Sequence, residues 1–175
     1  MADLTAVRIR PGTREDARAI AEVHVASWRD AYRGLLPDGF LDRLSVDERE
    51  AQRAEGFDDP GSPFGVLVAE DAGNVVGFVA YGPSRDDDAT EETGEVPAIY
   101  VEPGVVGTGV GRALFAAATE GLRERGYRRA TLWVLEANER ARRFYEKAGW
   151  RWDGTVSRHD FDCANEPVFR YAVEL

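Results

Sequence analysis

Gly107, Gly109 and Gly111 stand at alternate positions in VEPGVVGTGVGRALF, between an apolar strand-like run and an apolar helix-like run. The first N–H groups of a helix are unpaired and lie at the positive end of its dipole, so a helix entered through glycines is suited to holding a phosphate. Two phosphate turns fit poorly. A P-loop needs Lys and then Ser or Thr after its last glycine; Gly104 and Gly109 have the spacing, but Val110 and Gly111 follow. A dinucleotide turn needs G-x-G-x-x-G directly after a strand; Gly107 and Gly109 match, but Arg112 takes the third position and EPGVV separates strand from turn. Glu136, at the end of the next strand, stands about where a ribose-binding acid would lie, so a nicotinamide-dependent enzyme stays open as an alternative.

Other residues could do proton chemistry. Asn138 and Tyr145 are seven apart, two helical turns, and can face one cleft. Glu95 opens the strand EVPAIYV, and His24 lies on the apolar face of a helix beside Trp28, where a histidine could titrate near neutrality. Cys163, in the turn-like FDCANEP, reads as an ordinary loop cysteine. With one cysteine and two histidines, no internal disulfide and no metal-site spacing exist.

The elements that must position these residues are legible from periodicity. AVRIRPGT alternates and stops at Pro-Gly, giving a strand at 6–10, and Thr13 with Asp16 starts a helix over about 14–32. RGLLP breaks that helix, and a second, shorter helix or helical turn follows from about Pro37. FGVLVAEDAGNVVGFVAYGP predicts a hairpin about EDAGN. EVPAIYV is a strand in which Pro97 demands an edge, a bulge or a gap in the ladder. A helix over about 109–125 ends at Gly126, RATLWVLE is a strand, and NERARRFYEKAG is a helix capped by Asn138 and stopped by Gly149. Two strands, near 150–161 and 167–174, close a single domain over residues 1–175, a mixed sheet covered by helices.

The chain's 175 residues carry a formal charge of −10. That argues against nucleic acid as a partner, which needs clustered basic residues. The distribution is uneven: residues 112–151 hold ten basic and five acidic side chains, whereas SRDDDATEETGE, residues 84–95, is the most acidic piece. A polyanionic ligand is expected on the C-terminal half and a cationic one elsewhere. No apolar run is long enough to span a membrane, and MADLTAVRIRP has no signal-peptide core, so the expected location is the cytoplasm.

EVPAIYVEPGVVGTGVGRALF followed by LWVLEANERARRFYEKAGWRWDG resembles the GCN5-related N-acetyltransferases (GNAT), and the element order matches theirs along essentially the whole chain. The resemblance implies an α/β (α+β) fold: a mixed, mostly antiparallel sheet of six or seven strands with a splayed central pair, flanked by about four helices. It implies acetyl-CoA as acyl donor, its pyrophosphate wrapped by Val106, Gly107, Thr108, Gly109, Val110, Gly111 and Arg112. Val106 stands where the family carries Gln or Arg. Pantetheine is expected to pair with backbone around Ile99, Tyr100 and Val101 on a bulged strand. Asn138 and Arg142 are expected to contact the cofactor, and Tyr145 to act as general acid. An oxyanion donor is expected from the backbone N–H of Ile99 or Tyr100, and the base is Glu95, His24 or a water. The acceptor implied is the primary amine of a small molecule, lined by His24, Trp28, Tyr32, Tyr81 and His159, on a monomer or homodimer that uses no metal. Alternatives are a peptide or protein amine as acceptor, and a non-catalytic acyl-CoA-binding sensor.

Overall fold

The computed structural model describes residues 7–161 and 164–175; Cys163 lies outside them. Strand β1 (Arg8–Pro11) leads through a 3-10 turn (Arg14–Asp16) into α1 (Ala17–Ala31), then α2 (Asp38–Asp42) and α3 (Val46–Asp58). Strands β2 (Gly65–Asp71), β3 (Asn74–Pro83) and β4 (Thr93–Val101) follow. A 3-10 turn (Pro103–Val105), α4 (Val110–Glu124), β5 (Arg129–Leu135), α5 (Glu139–Lys147), β6 (Arg151–Asp160) and β7 (Asn165–Glu174) complete the chain. The seven strands form one sheet in the order β1-β2-β3-β4-β5-β7-β6, and β4–β5 is its parallel pair.

The expected sheet is present, and one helical region divides in two. The segment from Pro37 read as one short helix contains α2 and α3. The signal for the second was Ser45 with Glu48 three residues on: the Ser45 hydroxyl accepts from the Glu48 N–H at 3.2 Å and starts α3. The hairpin turn is Ala72-Gly73, both at positive φ (49° and 83°), as a two-residue turn between twisted strands requires. At the N-terminus of α1 the Asp16 carboxylate accepts from the Thr13 N–H at 2.8 Å and is clamped by Arg10 at 2.8 and 2.9 Å.

Strand alternation sorts the side chains onto two faces. Val79, Val96, Ile99 and Val101 join Leu114, Phe115, Ala118 and Leu122 of α4, with Leu132, Trp150 and Tyr171, in the main core. On the opposite face Val68, Phe78, Ala98 and Tyr100 pack with Ile20 and Val23 of α1 and Phe57 of α3. A third cluster, Leu36, Phe40, Leu41, Leu135, Phe161 and Val168, continues that second face toward β7 and takes in Trp28, Tyr32 and Trp133.

The centre of the sheet is split. Strands β4 and β5 pair only over Thr93, Gly94 and Glu95 with Arg129, Ala130 and Thr131. Beyond that point neither strand has the other as partner. On its other side β4 carries a bulge: Ala80 pairs with Ala98 and Gly82 with Glu95, so Val96 and Pro97 together stand opposite Tyr81. The extra residue turns β4 away from β5, and Pro97, which has no N–H to give a ladder, occupies the irregular position.

Candidate active site

The mouth of the split lies beside the N-terminus of α4. Gly107 (φ 82°) and Gly109 (φ 97°) hold the left-handed backbone that side chains rarely adopt, and a Cβ on Gly107 would meet open space. The turn is closed by the Val105 carbonyl, which accepts from the Thr108 N–H at 3.2 Å and its hydroxyl at 2.6 Å. Gly109 is the cap of α4 and no side chain covers it. The amides of Gly109, Val110, Gly111 and Arg112 therefore have no intrahelical acceptor, and the Arg112 guanidinium is exposed nearby. Val106, at 38% exposure, extends into solvent and takes no part in closing the turn. Gly111 needs no special backbone; a Cβ there would lie in ordinary contact with Phe144, 3.7 Å away. These open amides, a positive helix end and an unpaired stretch of β4 suit a ligand that carries a diphosphate and an amide-containing arm.

Helix α5 crosses the split. Asn138 caps it, its Oδ1 accepting from the Ala141 N–H at 3.2 Å. Seven residues later Tyr145 packs between Phe115, Phe144 and Tyr171, with ring centroids at 5.4, 5.4 and 6.3 Å, and its hydroxyl makes no hydrogen bond among the described residues. Burial raises the Tyr145 phenol above the ordinary tyrosine value, with Tyr100 adding to the rise. Tyr32 is also raised, by burial and by Tyr100 and Tyr145, against the opposing Asn138 amide. Tyr32, which caps α1, and Tyr100 of β4 flank the Trp28 ring at 4.9 and 6.1 Å by centroids, and Tyr100 acts electrostatically on Tyr145.

Several expected residues sit elsewhere. Tyr81 has the same alternation as Val79, so it faces α4: its ring fits between Gly65 and Gly121 under Arg125, whose Cζ is 4.7 Å from the ring centroid. It lies on the other side of the sheet from Trp28, Tyr32 and Tyr100. Arg142 is committed to structure, its Nε donating to the Tyr171 hydroxyl at 3.2 Å and Nη1 to the Glu136 carbonyl at 3.0 Å. The Tyr100 side chain turns toward α1, so only its backbone is available to a ligand on the α4 face. His159, on the exposed strand β6, packs edge-on to Phe161 at 4.5 Å.

His24 does not titrate near neutrality. It is 7% exposed, lies 5.1 Å from Tyr100 and 5.3 Å from Trp28 by ring centroids, and neither ring nitrogen has a hydrogen-bond partner. Burial, with smaller contributions from Arg49 and Arg53, pushes it down to about 3. It is a neutral imidazole at any physiological pH and a weak base.

Much of the acidic segment is paired with arginines. Asp88 binds the Arg170 guanidinium at 2.6 and 2.9 Å, and Asp86 accepts from Arg170 at 3.3 Å and from the Trp133 indole at 2.8 Å. Arg170 also holds Asp153 at 2.8 Å. Glu95, 4% exposed, accepts from the Arg85 Nε and Nη2 at 3.1 and 3.2 Å and from the Arg85 backbone N–H at 3.1 Å. Three of its four lone pairs are taken, and one on Oε1 remains. Sequence reasoning did not single out Arg49, Arg53, Arg85 or Arg170, because an arginine's partner depends on which strands adjoin.

Comparison with known proteins places this architecture. Residues 22–150 match the family described as Acetyltransferase (GNAT) family. The chain is 37% identical over 133 residues to the uncharacterized N-acetyltransferase YuaI of Bacillus subtilis, covering 75% of this chain and 73% of that one. It is 40% identical over 108 residues to a mycothiol acetyltransferase of Thermobispora bispora, covering 61% of this chain and only 35% of the relative. Among solved structures, the PaiA N-acetyltransferase of Thermoplasma acidophilum in complex with coenzyme A has the same fold, with a TM-score of 0.78 at 19% identity over 97% of this chain and 99% of that one. The chain therefore belongs to the acetyltransferase (GNAT) family and is an N-acetyltransferase.

Proposed function

We propose that this enzyme moves an acetyl group from acetyl-CoA to the primary amine of a small molecule by direct attack, with Tyr145 as the acid. The observation that carries the reading is the Tyr145 hydroxyl, which makes no hydrogen bond among the described residues and stands on α5, whose Asn138 cap follows β5 at the strand end that has parted from β4. Acetyl-CoA supplies an activated acyl group on a thiol that leaves as an anion. The amides from Gly107 to Arg112 hold its diphosphate, and the free edge of β4 at Ile99 and Val101 takes its amide-containing arm. The backbone N–H of Ile99 or Tyr100 donates to the negative charge that develops on the carbonyl oxygen. Glu95 receives the amine's proton through water at the remaining Oε1 lone pair, since Arg85 occupies the rest of the carboxylate. Tyr145 then gives its proton to the departing sulfur. A phenol raised above about 10 is a weaker acid than a thiol near 8.5, so Tyr145 donates a hydrogen bond first and passes its proton to the sulfur as the substituted ammonium of the tetrahedral intermediate gives its own proton to the phenolate, leaving a neutral amide, a thiol and a neutral tyrosine.

The test is Tyr145→Phe. Turnover is expected to fall by about 100-fold or more, while acetyl-CoA affinity measured by calorimetry stays within a few-fold. Unchanged turnover would remove Tyr145 from the mechanism.

A further inference from the structure

We infer that the acceptor carries a carboxylate as well as its amine, and that Arg49 and Arg53 of α3 bind that carboxylate. The inference rests on the acetyl-transfer reading above and specifies its acceptor. The chain has 32 acidic and 22 basic residues, and many of its arginines take carboxylate partners, among them Arg10 with Asp16, Arg85 with Glu95 and Arg170 with Asp88, while others, such as Arg29, Arg125 and Arg142, donate to carbonyls or a hydroxyl instead. Arg49 and Arg53 take none among the described residues. Arg49 donates to the Gln52 side chain at 3.2 Å, and the Arg53 guanidinium lies 4.8 Å over the Phe78 ring. Both are only partly exposed, and holding a guanidinium out of water without a counter-ion is unfavourable.

What they adjoin is also unsatisfied. The two ring nitrogens of His24 are buried with no hydrogen-bond partner among the described residues, beside Trp28, Phe78 and Tyr100. Both arginines act electrostatically on His24 and on Tyr100. Two guanidiniums without a carboxylate and one unsatisfied imidazole N–H in one place match an anion with two acceptor oxygens, which arginine grips in bidentate fashion. Tyr100 links this cluster to β4 and to the end of α1: its ring lies 5.1 Å from His24 and 6.1 Å from Trp28, and Trp28 lies 4.9 Å from Tyr32. An acceptor whose carboxylate sits at α3 would extend its amine along these rings toward the opening between β4 and β5. A polyamine would place a second cation against Arg49 and Arg53, and a plain alkylamine would leave them unmet.

The experiment compares amino acids with their decarboxylated amines, for instance glutamate, methionine and 4-aminobutanoate with the matching amines, using thiol release and calorimetry in the presence of coenzyme A. An amino acid is expected to exceed its amine in kcat/KM by about 100-fold, and Arg53→Gln and Arg49→Gln to shrink that ratio at least about tenfold, mainly through KM. Arg53→Lys should restore part of it. Should Arg53→Gln fold poorly, Arg49→Gln on the outer turn of α3 gives the same readout. Equal turnover of both members of each pair, or an undiminished ratio in both glutamine variants, overturns the inference. Amino-acid binding that is lost in these variants, in an enzyme that releases no thiol, would uphold the carboxylate site and refute the acetyl-transfer reading.

Discussion

His24 shows how far burial controls a single side chain. Its imidazole sits among Trp28, Phe78 and Tyr100 without a hydrogen bond, and the two nearby arginines disfavour a second positive charge. Unfolding returns it to an ordinary value of about 6.5. The folded value, about 3, is the lower, so below 6.5 the unfolded chain binds the extra proton and the fold loses stability as pH falls from 6.5 toward 3. This one group should remove about 2 kcal/mol between pH 6.5 and pH 5. Urea unfolding of wild type and His24→Phe at both pH values checks it: the variant should lose about 2 kcal/mol less than wild type over that interval. Parallel losses would mean that His24 is partnered or hydrated in solution. Tyr145 is shifted by the same physics in the opposite sense, so its proton is retained through the range in which the enzyme works.

At the scale of elements, the contact between α4 and β3 depends on absent side chains. A Cβ on Gly121 would lie 2.7, 2.9 and 3.1 Å from atoms of the Tyr81 ring, and one on Gly65 would meet the same ring from the other side at 2.7 Å. Gly121→Ala should therefore lower stability, although alanine is favoured over glycine inside a helix by about 1 kcal/mol. Overpacking a fixed ring costs about 1–3 kcal/mol, and Tyr81 has no room to move. A urea midpoint above wild type would show that the ring yields. The elements themselves were largely legible. Gly107 and Gly109 announced a helix start, Pro97 an irregular strand, and Asn138 and Gly149 the ends of α5, because each signal is local. The face on which Tyr81 lies was not legible, since it follows from register relative to Phe78 and from two distant glycines. The division into α2 and α3 was written in Ser45 and Glu48. The partners of Arg170 were not, because they are set by elements distant in sequence.

Across the whole molecule, Arg170 ties the acidic segment to the sheet. It is 8% exposed and joins Asp86 and Asp88, from the β3–β4 connection, to Asp153 on β6. Arg170→Met leaves Asp86 and Asp88 without a cation among the described residues, Asp86 largely buried and Asp153 keeping only Arg129, and should cost about 3–5 kcal/mol. Hydrogen exchange across residues 84–92 should accelerate, and protection equal to wild type there would show that the segment is held by something else. The same connection flanks the short ladder at Thr93–Glu95, where β4 and β5 still pair. A seven-stranded sheet ordinarily has two outer edges, and this one has two more in its interior, where β4 and β5 part. Open edges elsewhere invite other chains to add a strand. Here α4 and α5 on one face and α1 on the other screen the interior pair. A ligand that pairs with these inner edges would add hydrogen bonds between two half-sheets that share only three residue pairs. A ligand that binds there should stiffen the protein well beyond the residues it touches.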